Sequence, residues 1–153
     1  IKKIQNNPLY RALRCDKFTL SLLEHSLKTF ISDSNFNSEN LVISLLNRDR
    51  ETLEKMGNKI LNKIDKKIIN TNNIELIPSN VEAGSGSLPT KNIESCAISI
   101  QSEIKPMLLS QKFRSASIPI IGYINKGTFF IDLKAITVDQ AQLVSNIIVE
   151  VLS

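Results

Sequence analysis

Residues 118–133, IPIIGYINKGTFFIDL, decide the fold class. Ile118 to Ile124 and Thr128 to Leu133 are rich in β-branched and aromatic residues. Asn125-Lys126-Gly127 between them has the chemistry of a tight turn, so the stretch predicts an antiparallel hairpin. Working outward, Cys96-Ala97-Ile98-Ser99-Ile100 predicts a strand. So does Ile74-Glu75-Leu76-Ile77, which Pro78 is expected to stop. A loop, residues 83–89, separates these two. Glu103 to Phe113 predicts a helix with Pro106 in its first turn. Asp139 reads as the N-cap of a last helix running to about Val151, with Ala141, Val144 and Ile148 on one face.

Upstream of Ile74 the period changes from strand to helix. Residues 1–10 read as the end of a helix and a turn at Asn7-Pro8. Asp16 is read as the N-cap of a helix to about Ile31. Leu20, Leu23, Leu27 and Phe30 recur along it at helical spacing, so that face is expected to be buried. Ser32 to Ser38 is polar and reads as a loop, and Leu41 to Leu46 is a short apolar segment. A second long helix is expected from Arg48 to Ile68, with Leu53, Met56, Ile60, Ile64 and Ile68 as its stripe and Glu51 and Lys55 as an i, i+4 pair. Thr71-Asn72-Asn73 ends it. The order predicts an α+β fold: long N-terminal helices, then β-β-α-β-β-α, forming a mostly antiparallel sheet covered by helices. No internal repeat is found.

The 153 residues suffice for one domain, or a domain with a connecting segment. No run of about 18 apolar residues offers a membrane span. No apolar h-region follows Ile1-Lys2-Lys3-Ile4, so no signal peptide is expected. The first residue is not Met and the helical pattern is already under way, which reads as a fragment. Cys15 and Cys96 lie too far apart in sequence for a disulfide framework or a metal-ligand spacing, and a reduced, cytoplasmic setting follows. With one histidine and no cysteine pair, a zinc site is not expected. A net charge of +4 permits an anionic partner without requiring one.

Arg11 and Arg14 draw attention first. On a helix, i, i+3 spacing places both guanidinium groups on one side, and two forks suit a tetrahedral oxyanion. The alternative is two solvated arginines near a helix start. The loop Gly84-Ser85-Gly86-Ser87 offers backbone N–H groups to an anion, or is simply a turn between strands; it lacks the lysine and spacing of a Walker loop. Lys59, Lys63, Lys66 and Lys67 line one side of the second helix. They read as its solvated face, with contact to RNA phosphates as the alternative. His25 lies off the apolar stripe and reads as an exposed structural residue. Asp132 is either a surface carboxylate at a strand end or a partner that orients an Arg or Lys. No complete catalytic constellation emerges.

Three segments, in order, carry a resemblance. Asn7-Pro8-Leu9-Tyr10-Arg11-Ala12-Leu13-Arg14-Cys15-Asp16-Lys17-Phe18-Thr19-Leu20, continuing through Leu23-Glu24, is similar to "NPLxRALRxDKxTLxxLE". Gly84-Ser85-Gly86-Ser87-Leu88-Pro89 is similar to "GGGSLP". Pro119 to Ile124, then Gly127 and Asp132-Leu133, is similar to "PVIGRIxxGxxxLDLR". Together they resemble bacterial selenocysteine synthase, L-seryl-tRNA(Sec) selenium transferase. The first segment is the most specific, and residues 32–75 match in pattern only.

The resemblance implies a fold-type I enzyme dependent on pyridoxal phosphate, of which this chain is the C-terminal part. Residues 1–40 would be a connecting helical segment from a large domain and residues 41–153 the α+β small domain. The Schiff-base lysine of the family would lie before Ile1, so no catalytic residue and no activity are expected of the fragment alone. The implied reaction converts seryl-tRNA(Sec) to selenocysteyl-tRNA(Sec) with selenophosphate. Arg11 and Arg14 would hold the donor's oxyanion, and Gly84 to Ser87 would lie near the active-site cleft. A homo-oligomer is implied, without membrane or metal. Departures are Ser85 for the middle Gly, Val81 where the family often has Ser, and Tyr123 and Lys134 each for an Arg. They leave two other readings open: a lyase of the same fold and cofactor acting on a small amino or sugar acid, and a non-catalytic module for assembly or RNA binding.

Overall fold

The computed structural model describes residues 2–12, 14–31, 40–82 and 92–153, and of Gln5, Arg11 and Thr29 the backbone alone. The polar segment Ser32 to Ser38 and the loop 83–89 lie outside the described residues. The chain divides into two compact units, residues 1–44 and 45–153.

The first unit holds α1 (Lys2–Gln5), a 3-10 turn (Pro8–Arg11) and α2 (Lys17–Ile31). The side chain of Asn7 accepts from Leu9 N at 2.9 Å, and Pro8 follows at the first position, where its missing N–H costs nothing. Asp16 caps α2 as expected, accepting from Thr19 N at 2.8 Å and Thr19 Oγ1 at 2.9 Å. The expected burial of one α2 face is not found: Leu20, Leu23, Leu27 and Phe30 are each more than half exposed. Spacing settles which residues share a face, not whether another surface covers it. A short helix α3 (Leu41–Leu46), capped by Asn40, leads across the unit boundary.

The second unit follows the order α4 (Arg50–Leu61), α5 (Lys66–Thr71), β1 (Ile74–Glu82), β2 (Asn92–Ile100), α6 (Pro106–Arg114), β3 (Tyr123–Asn125), β4 (Thr128–Asp132), α7 (Ala141–Leu152). This is the expected α+β fold. The four strands form an antiparallel sheet in the order β1-β2-β4-β3. Helices cover one face. Cys96, Ile98, Ile100, Phe129 and Ile131 point at it and pack with Leu53, Met56 and Ile60 of α4, Leu109 and Phe113 of α6, and Val144, Ile147 and Ile148 of α7. Phe113 and Phe129 stack with centroids 5.0 Å apart. Gly57 lets α4 approach β1: a β-carbon there would lie 2.5 Å from Leu76 Cδ1.

Four local expectations are corrected. The long helix from Arg48 to Ile68 is two helices. Asn62 closes α4, and Asp65 opens α5 by accepting from Lys67 N at 2.7 Å. Short polar side chains compete for backbone groups, and Ile64 stays buried within the turn, so the apolar repeat survives the break. The break leaves Lys59 on α4, Lys63 in the turn and Lys66 and Lys67 on α5, so the four lysines do not share one helix. Pro78 does not stop β1. Cys96 opposite it turns its carbonyl to β4, accepting from Leu133 N at 2.9 Å, so the Pro78 nitrogen faces the open edge of the sheet. The first hairpin strand is only Tyr123–Asn125, with Lys126 and Gly127 both at positive φ in the two-residue turn. Finally, Asp139 does not cap α7. The cap position is Gln140, whose side chain instead accepts from Thr137 N at 3.0 Å.

Candidate functional site

The arginine-bearing segment of the first unit runs between two caps. Asn7 starts the 3-10 turn that ends at Arg11, and Asp16 starts α2. Backbone and then side-chain hydrogen bonds from Thr19 hold the Asp16 carboxyl below its ordinary range. Arg14 and Cys15 lie between the caps, and both are exposed. Since Arg14 lies beyond the turn, helical i, i+3 spacing does not pair it with Arg11. The case for the pair therefore rests on the sequence motif and on the short distance along the chain. Gly84, Ser85, Gly86 and Ser87 lie outside the described residues. His25 is exposed on α2.

The second unit concentrates its polar chemistry where β4 ends. Asp132 is not a free surface carboxylate, and its partners among the described residues are two hydroxyls and a backbone N–H. Its Oδ2 accepts from Ser79 Oγ at 2.7 Å, and its Oδ1 accepts from Ser95 Oγ at 2.7 Å and from Lys134 N at 2.9 Å. Lys134 is buried, and its Nζ donates to the Arg48 carbonyl at 2.7 Å. Arg48 reciprocates: its guanidinium donates to the carbonyls of Leu133, Lys134 and Ile136. The two side chains thus lock the entry of α4 to the turn after β4. Burial is the main cause that lowers the pKa of Lys134, with the Arg48 charge second, and burial lowers that of Arg48 too. Arg48 went unnoticed in the sequence because its partners stand 85 to 88 positions away.

Cys96 is fully buried beneath α4. Burial pushes its thiol pKa up, with the Glu54 carboxylate adding to the effect, so it packs as a small apolar group. Tyr123 stacks on Phe130 with centroids 5.2 Å apart, and burial, then the Asp132 charge, raises its pKa. A cleft of about 210 Å³ between Ile118–Ile121 and α7 is lined by apolar side chains apart from Asp132 and Gln140. Asp132, one of the candidate residues, lines it. Among the described residues no three His, Cys, Asp or Glu side chains form a metal-binding group, and no helix is long and apolar enough to cross a membrane.

The family model described as L-seryl-tRNA selenium transferase matches residues 1–137. The chain is 31% identical over 137 residues to the L-seryl-tRNA(Sec) selenium transferase of Actinobacillus pleuropneumoniae serotype 7 (strain AP76), covering 88% of this chain and 30% of that protein. It is 30% identical over 138 residues to the protein of the same name from Haemophilus influenzae (strain PittEE), covering 89% and 30%. It is 25% identical over 151 residues to that from Desulfotalea psychrophila (strain LSv54 / DSM 12343), covering 98% and 32%. The chain spans about a third of the length of these curated relatives.

Proposed function

Because the chain belongs to the L-seryl-tRNA selenium transferase family, we propose that it is the C-terminal third of such an enzyme. The whole enzyme would convert seryl-tRNA(Sec) to selenocysteyl-tRNA(Sec) with selenophosphate, in the cytoplasm and as a homo-oligomer. Residues 1–40 connect to the large domain and residues 41–153 form the small domain. The observation that carries the reading is the family match across the segment bearing Arg11 and Arg14, held between the Asn7 and Asp16 caps.

Pyridoxal phosphate, the cofactor this family implies, does not fit the described residues of the chain. Lys134 is the one buried lysine among them, and its amine is committed to the Arg48 carbonyl; the other described lysines are exposed. The cofactor's linkage and electron-sink chemistry therefore belong to other residues, and the chain alone is inactive. Its own contribution is to bind an anion. Arg11 and Arg14 present guanidinium groups to the selenophosphate oxyanion, and residues Gly84 to Ser87 add backbone donors near it.

The test uses the polypeptide encoded by the whole reading frame that contains these residues. Visible absorbance on adding pyridoxal phosphate, and borohydride trapping with peptide mapping, should locate a cofactor-bearing lysine before Ile1. Arg11→Ala or Arg14→Ala should lower kcat/KM for selenophosphate by roughly 10- to 100-fold, the loss of one charge-assisted hydrogen-bonding group. Unchanged transfer in both variants would remove the anion-site assignment. A well-folded protein that binds no cofactor would leave the non-catalytic module as the reading.

A further inference from the structure

α4 carries Lys55 and Lys59 one turn apart, and Lys63 follows in the turn beyond its end. Two hollows of about 200 and 390 Å³ lie along this side of α4. They share Lys59, Val138 and Ala141, so they form one groove between α4 and the start of α7. Lys55 stands at one end and Lys63 at the other. The remaining lining side chains are uncharged. Glu51 and Asp139 stand near in sequence, and neither lines the groove.

The three lysines are exposed, and their amines are weakly committed. Lys59 has no ion-pair or hydrogen-bond partner among the described residues. Lys55 pairs with Glu51 at 2.6 Å, but the two side chains are 70% and 74% exposed, and such a pair contributes little and exchanges for another anion. The Lys63 amine donates to Gln142 Oε1, which holds it at the groove and leaves two of its three donors. Four residues of helix advance about 6 Å, so Lys55 and Lys59 form a fixed row of positive charge that Lys63 continues. Charge at regular intervals fits a polymer with one negative charge in each repeating unit. An acidic peptide offers its carboxylates at irregular positions on flexible stems.

We propose that this groove binds the phosphate backbone of RNA, and that in the whole enzyme the RNA is the substrate tRNA. The second half rests on the selenium-transferase reading; the first does not. Lys66 and Lys67 of α5 lie outside the groove and take no part.

Anisotropy of a fluorescently labelled tRNA(Sec) transcript, titrated with the 153-residue chain at about 50 to 200 mM salt, tests the groove. Log Kd against log salt should have a slope of at least about 2, from three neutralised phosphates at about 0.7 to 0.9 each. Lys55→Ala, Lys59→Ala and Lys63→Ala should each lower the slope by about 1, and K55A/K59A/K63A should weaken binding about tenfold or more. K66A/K67A should stay within about twofold of the parent. An equal loss in K66A/K67A would mean attraction by overall charge and would overturn the groove, as would absent binding. Oligoglutamate of matched charge that displaces the transcript as well as unlabelled tRNA does would assign the groove to an acidic protein segment and overturn the RNA reading. Should the triple variant fail to fold, Lys59→Ala, which removes no internal partner, must still lower the slope. In the longer polypeptide, the triple variant should raise KM for seryl-tRNA(Sec) about tenfold and leave KM for selenophosphate within about threefold. Lost RNA binding with an unchanged KM for seryl-tRNA(Sec) would refute the link to the substrate. A polypeptide with no selenium transfer at all would refute the functional reading, and the anisotropy would still decide the groove.

Discussion

A β-carbon on Gly122 would collide with the backbone carbonyl oxygen of Phe130 and lie 2.5 Å from the Phe129 ring, neither of which has room to move. One on Gly57 would meet only the ends of the half-buried Leu76 and the buried Leu133 side chains, with no backbone atom among its nearest contacts. Gly57→Ala is therefore expected to cost about 1–3 kcal/mol, the ordinary range of overpacking, and Gly122→Ala more. Urea midpoints at unchanged slope measure both, and the reverse order would refute the argument. At the same scale, Ser117 donates to Glu150 through N at 2.9 Å and Oγ at 2.5 Å, and these bonds hold the Glu150 carboxyl below its ordinary 4.5. A depressed carboxylate stabilises the fold above its unfolded pKa and loses that contribution as pH falls through its folded pKa. Ser117→Ala should thus be less stable than the parent at neutral pH, and the two should converge below pH 4.5. A constant gap down to strongly acidic pH would exclude this linkage. The arginine motif was legible at this scale, because it is contiguous. The Arg48–Lys134 lock was not, because no local pattern marks two residues 86 apart.

Among the elements, the strand carrying Pro78 shows where a local rule yields to position. Proline removes a ladder donor only when its nitrogen faces a neighbouring strand, and on β1 it faces the free edge. Pro78→Val should change stability by no more than about 1 kcal/mol. It should also add an unpaired N–H to an exposed edge and increase self-association, which sedimentation at rising concentration measures. Stronger destabilisation without association would mean that the Pro78 ring is needed for packing. The break between α4 and α5 has the same lesson: Leu53, Met56, Ile60 and Ile64 are all buried, yet the last lies in a turn. Apolar periodicity reports which side chains face the core, while Asn62 and Asp65 decide where the backbone stops being helical. The α2 stripe was equally legible as a stripe, and Leu20, Leu23, Leu27 and Phe30 stand exposed along it.

For the whole molecule, every buried apolar side chain among the described residues lies between Leu53 and Val151. A fragment of residues 45–153 should therefore unfold cooperatively, with a midpoint within about 4 °C of the whole chain, a difference below about 1 kcal/mol. A broad or absent transition would place stabilising contacts in the first 44 residues. The sequence by itself determined the α+β class, the turn at Asn7-Pro8 and the Asp16 cap on either side of the arginine segment, the turn at Lys126-Gly127 and the family. Each of these is written in neighbouring residues or in a repeat of two to four positions, which local sterics and hydrogen bonding read directly. Only the tertiary structure decided which β1 edge was open, that Asp132 is shared by Ser79 and Ser95, and that Lys134 and Arg48 satisfy each other's backbone. Those pairings join residues dozens of positions apart, and they exist because sheet order and partial burial bring polar groups together where little water reaches them.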